Sequence, residues 1–142
     1  MKEVHPEEWI DVAYRRMEDA QFLLADGRIR TGSAQVYLAV YYACRALLEE
    51  EGFYFERHAS VTGNVGRVSR YRERLDTSFP AAMQYRREQC DYELFEPDLD
   101  DADQWARSAA RFIERAETLL RVAFGHRSVT PPPRPSAPRA DR

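Results

Sequence analysis

Within the seven residues from Arg86 to Tyr92 stand two arginines, a cysteine, an aspartate and a tyrosine. Arginine can hold a phosphate through paired N–H groups and stabilise charge that develops on it. An aspartate of ordinary pKa is ionised at pH 7, so Asp91 can accept a proton but is poorly suited to return one. Tyr92 can donate a hydrogen bond. The side chain that both takes and gives a proton near neutrality is histidine. Of the three histidines, His5 and His126 lie near the ends, and His58 alone lies in the body of the chain. The candidate functional residues are therefore Arg86, Arg87, Asp91 and Tyr92, with His58 as an accessory. A plainer reading competes with this one. Arg87 and Asp91 stand i, i+4 and can form an ion pair worth about 0.3 kcal/mol on a helix, with Cys90 in the core and Tyr92 as a packed aromatic.

The elements that must carry these residues have a helical period. Ile10, Ala13, Met17, Ala20 and Leu24 repeat at helical spacing, between Pro6 and a stop at Gly27, and predict a first helix over residues 6–26. A second helix, capped by Thr31 or Ser33 and ended by Gly52, carries two adjacent apolar stripes, so it is buried over a wide arc. Val36, Val40, Ala43 and Leu47 make one stripe; Tyr37, Tyr41, Cys44 and Leu48 make the other. A third helix is expected over residues 61–77, after a loop. The fourth, over 79–95, opens at Pro80 and carries Phe79, Met83, Cys90 and Leu94 on its apolar side, which puts the Arg86–Tyr92 cluster on a helix. The last helix starts at Asp98 or Asp100 and buries Trp105, Ala109, Phe112, Ala116, Leu119 and Leu120. The expected fold is all-α, a compact antiparallel bundle of about five helices.

No cofactor or metal is implied. Cys44 and Cys90 lack the close spacing of a metal site and read as reduced core thiols. The acidic run from Asp98 to Asp103 is accounted for by the positive end of a helix dipole. The chain has 142 residues, enough for a single domain with a real core. The bundle is expected over residues 1–125, followed at 126–142 by a Pro/Arg-rich, disordered tail. Net charge is −3; the tail carries +3, which leaves −6 on the bundle. An acidic body argues against broad, non-specific nucleic-acid binding, though not against a local arginine-lined groove. Apolar runs are too short to span a membrane and the start, "MKEVHPEEW", lacks a secretory pattern, so a cytoplasmic protein is expected.

The stretch "SAQVYLAVYYACRALLEEEGFYFERH" resembles the second helix and following loop of small stand-alone HEPN-domain proteins of prokaryotes. The likeness runs through Tyr37, Ala39, Ala43, Arg45, Ala46, Leu47, Leu48, Gly52 and His58, and extends over about residues 8–124. Arg87 followed by Asp91 and Tyr92 matches the arginine and D-Y pair of those stand-alone members. The resemblance implies a helical bundle that pairs as a homodimer, of the toxin–antitoxin or defence class. It also implies RNA or nucleotide as ligand, or a minimal nucleotidyltransferase or other effector chain as partner.

Active relatives cut RNA without a metal, using an arginine, four to six residues, then a histidine. Here the residue reached from Arg86 is Asp91, so the motif is degenerate. Gln35 and Tyr42 stand where relatives commonly have an arginine and a histidine. Three readings follow: a dimeric binding module, an active metal-independent endoribonuclease, or a structural self-assembling bundle.

Overall fold

The computed structural model describes residues 4–92 and 95–126. Helix α1 (Pro6–Ala25) opens on Pro6, and Glu8 Oε2 accepts the His5 backbone N–H at 3.0 Å, the return half of a capping box. Gly27 follows the C-cap Asp26 of α1, and Gly52 follows the C-cap Glu51 of α2 (Ile29–Glu50); both glycines take positive φ, +79° and +89°, where a side chain would be strained. The tight connection folds α1 and α2 into an antiparallel hairpin, the most extensive helix–helix contact in the molecule. α2 begins at Ile29, so Thr31 and Ser33 lie inside it rather than capping it. Both stripes expected of α2 are buried: Val36, Val40, Ala43 and Leu47, and Tyr37, Tyr41, Cys44 and Leu48.

The single helix expected over residues 61–77 is instead broken. α3 (His58–Asn64) runs into a 3₁₀ turn (Val65–Arg67) and then a one-turn helix α4 (Ser69–Arg72). Between the last two, Val68 is extended at φ −89°, ψ 113°. The glycines of this segment lower helix preference, and burial of Val61, Val65, Tyr71 and Leu75 pins the irregular path to the core. α5 (Phe79–Tyr92) carries the Arg86–Tyr92 cluster on helix, as expected. Leu94 and the last turn expected there fall outside the described residues.

α6 (Leu99–His126) starts where the acidic run predicts: Asp98 Oδ1 accepts the Asp101 N–H at 3.1 Å. Its buried face includes Ala109, Phe112, Ala116, Leu119 and Leu120 against α2 and α1. The fold is an all-α bundle built around α2, with no strand among the described residues. No helix among them is long and apolar enough to cross a membrane. Of the tail expected over residues 126–142, His126 is instead the last residue of α6, and residues 127–142 lie outside the described residues.

The α1–α2 crossing depends on a missing side chain. A Cβ on Gly32 would lie 2.8 Å from Leu24 Cδ2, 2.9 Å from Leu24 Cγ and 3.3 Å from the Leu24 backbone nitrogen. Leu24 is itself buried, so relief requires the helices to part. Gly32→Val is therefore expected to destabilise by about 1–3 kcal/mol, read as a lower denaturation midpoint, despite the better helix propensity of valine.

Candidate functional site

Four residues of α2 step along the helix at intervals of four: Tyr37, Tyr41, Arg45 and Glu49. At 100° per residue such a series winds slowly around the axis. Other elements meet it at each step. Trp9 of α1 donates from Nε1 to Glu49 Oε1 at 2.9 Å, and Arg45 Nε donates to Glu49 Oε2 at 2.7 Å. The Arg45 guanidinium also covers the Trp9 ring at 4.2 Å, and Trp9 stacks on Tyr42 with centroids 5.3 Å apart. The Glu49 side chain is 7 % exposed, so its carboxylate is held by these two donors and not by water. Arg45 is thereby committed to the protein.

His58 is the first residue of α3 and packs on the other end of the series. Its ring stacks on Tyr41 at 4.0 Å, with planes 12° apart, and its Nδ1 lies 2.7 Å from the Tyr37 hydroxyl. Over the Tyr37 ring, at 5.3 Å, sits the guanidinium of Arg87 from α5. Two candidates 29 residues apart in sequence are thus brought to one face by Tyr37. Burial lowers the His58 pKa below its ordinary value, and the positive charges of Arg87 and then Arg45 lower it further. At pH 7 the ring is neutral.

Arg87 Nε lies 3.4 Å from Asp91 Oδ2, and both side chains are more than a third exposed, so the pair is weak and easily exchanged. Asp91 therefore lies against the arginine. Arg86 leaves in another direction: its guanidinium covers the Trp105 ring at 5.5 Å, and Nη1 reaches Gln89 Oε1 at 3.5 Å. Tyr92, read as a packed aromatic in the plainer account, is instead 82 % exposed on the last turn of α5. Cys90 is buried, in accord with that account. Gln35 of α2 accepts from Arg16 Nη1 of α1 at 3.4 Å.

A family model of the HEPN domain matches residues 6–122. The chain belongs to the HEPN-domain family. It is also similar to a UPF0332 protein of Thermotoga maritima, 26 % identical over 123 residues that span 84 % of this chain and 93 % of that protein. In this HEPN protein Tyr37, Tyr41 and Arg45 were not among the residues singled out for chemistry. The apolar period of α2 marks the two tyrosines as core, which they are, and nothing local marks them as supports for His58. The i, i+4 spacing of Arg45 and Glu49 was the available signal for the second cluster.

Depression of the His58 pKa has a consequence for stability. A histidine ionising lower in the folded than in the unfolded chain contributes stability that is present above the unfolded value, about 6.5. That contribution is lost as pH falls through the folded value. Wild-type protein should lose stability below about pH 6.5 more steeply than His58→Gln does. Denaturant midpoints of both, measured from neutral to mildly acidic pH, test this.

Proposed function

We propose that this HEPN protein, of the toxin–antitoxin or defence class, acts as a homodimer that binds RNA or nucleotide through its phosphates without cutting it. The observation that carries this reading is the convergence of Arg87 and His58 on the Tyr37 ring. Together they form a cation and an imidazole on one face. Arg87 is the more loosely held cation of the face: Arg45 is tied to a buried carboxylate, whereas the ion-pair partner of Arg87 among the described residues is an exposed aspartate, which a phosphate can replace. Asp91 then serves as a resident counter-charge and Tyr92 flanks the contact, while Arg86 lies apart over Trp105.

Binding of single-stranded RNA in metal chelator, followed together with strand integrity, tests the proposal. Retained strand, intact, with binding lost on Arg87→Ala, supports it. No binding by the wild type defeats it. A chain that stays monomeric at micromolar concentration removes its dimeric part.

One observation favours a second reading, metal-independent cleavage. His58 stands beside Arg87 in space, although it is absent from the expected place in sequence, and a neutral imidazole is a usable base. Cleavage in chelator, abolished by His58→Gln, supports that reading over the first. Association with a nucleotidyltransferase or other effector chain belongs to the same class and is tested by co-purification.

A further inference from the structure

The contact between Tyr37 and His58 specifies which imidazole nitrogen carries the proton. Tyr37 is fully buried, and its hydroxyl lies 2.7 Å from His58 Nδ1. Burial drives the phenol pKa upward, so Tyr37 keeps its proton throughout the physiological range. That proton requires an acceptor, because a buried hydroxyl without one is costly. Among the described residues Nδ1 is the acceptor given to this hydroxyl.

If Nδ1 accepts, the hydrogen of the neutral ring is on Nε2. The opposite arrangement, with Nδ1–H donating to the phenol oxygen, would leave the Tyr37 proton unsatisfied in the core. Turning the ring over would present a C–H to the same hydroxyl. Stacking of His58 on Tyr41 at 4.0 Å holds the ring plane in place.

We infer that Tyr37 is a positioning residue that holds neutral His58 in the Nε2–H tautomer, so that beside Arg87 the site presents a hydrogen-bond donor and not a base. Among the described residues, the groups that bear on the imidazole are Tyr37, Tyr41 and Arg45 from α2 and Arg87 from α5. None of the four is an anion that would draw the proton to Nδ1.

The inference rests on the phosphate-binding reading for its ligand, but not for its tautomer. A donor paired with a guanidinium selects a group that offers acceptors alone, and the oxygens of a phosphodiester are such a group. An Nε2 that already bears hydrogen cannot take the proton of a ribose 2'-hydroxyl. The same contact that orients His58 therefore makes this face bind an RNA phosphate rather than activate the sugar beside it.

Long-range ¹H–¹⁵N correlation spectra of the full chain at neutral pH test the assignment. His5 and His126 serve as internal references. The expected result is a protonated Nε2 and an unprotonated Nδ1 for His58. A Nδ1–H or doubly protonated ring at neutral pH overturns the inference whatever the protein binds.

Tyr37→Phe, which keeps the buried ring, should release the constraint and give a mixture of tautomers. A variant that keeps the Nε2–H form alone also overturns the inference. Addition of a short oligouridylate should shift the His58 Nε2 signal in the wild type, and Tyr37→Phe should weaken binding about fivefold. If the tautomer is as stated but oligouridylate leaves the signal unmoved, the tautomer stands and the phosphate-binding reading fails.

Discussion

Arg87→Ala is expected to weaken binding of single-stranded RNA by about 10- to 100-fold, because a charge-assisted hydrogen bond contributes ~1.5–3 kcal/mol. The guanidinium sits over the Tyr37 ring at 5.3 Å, so its position is set by a buried residue of α2 rather than by its exposed partner Asp91. Little of it needs ordering when ligand arrives. The substitution should also flatten the salt dependence: losing one phosphate contact to a single strand lowers the slope of log K against log salt by roughly 0.7. Arg87→Lys should recover part of the affinity, since a lysine keeps the charge but loses the planar fork. Arg86→Ala is the informative control. Arg86 is exposed and packs over Trp105, away from Tyr37, so its loss should have the smaller effect. Fluorescence anisotropy with labelled RNA at several salt concentrations reads all of these. Equal losses for the two arginines would mean that α5 offers only diffuse positive charge.

Tyr71→Ala should be among the most destabilising single changes, at about 3–5 kcal/mol. Tyr71 is fully buried, and its hydroxyl donates to the Leu47 carbonyl at 2.9 Å and lies 3.1 Å from Glu51 Oε2. Leu47 belongs to the last turn of α2, whose carbonyls have no partner within the helix. Arg70 closes the arrangement by donating to Glu51 Oε2 at 2.8 Å and covering the Tyr71 ring at 4.8 Å. Removing the side chain opens a cavity and strips a carbonyl of its donor. Tyr71→Phe removes only the hydroxyl and should cost about 1–3 kcal/mol. Denaturant midpoints of the two variants separate packing from hydrogen bonding. Because Tyr71 anchors the irregular segment that follows α3, Tyr71→Ala should also loosen the region carrying His58. Faster amide exchange at Val61 and Val65 would report that loosening.

Much of the bundle was legible because it follows from side-chain period. The double stripe of α2 has one solution, burial on both sides, and it is buried on both sides. The start of α6 was legible from Asp98, since a side-chain cap is a local interaction. The start of α2 was not, because α2 is held by packing and extends past Thr31 and Ser33 to Ile29. The segment after residue 58 was misread for a similar reason: its apolar residues do have a helical spacing, but tertiary burial of Val65 and Tyr71 draws the chain away from one continuous helix.

The sequence by itself determined the helical class, the central role of α2 and the helical setting of Arg87, because these depend on spacing within one segment. It also determined that Asp91 stands one turn after Arg87 on the same helix, and that no histidine lies within the Arg86–Tyr92 cluster. Only the tertiary structure decided that His58 meets Arg87 across Tyr37, that Arg45 is tied to Glu49 and Trp9 while Arg86 turns to Trp105, and that burial and the charge of Arg87 lower the His58 pKa. These are contacts between helices, set by which faces pack together. A hydroxyl 2.7 Å from an imidazole nitrogen is a product of that packing, with no trace in the local pattern of either residue.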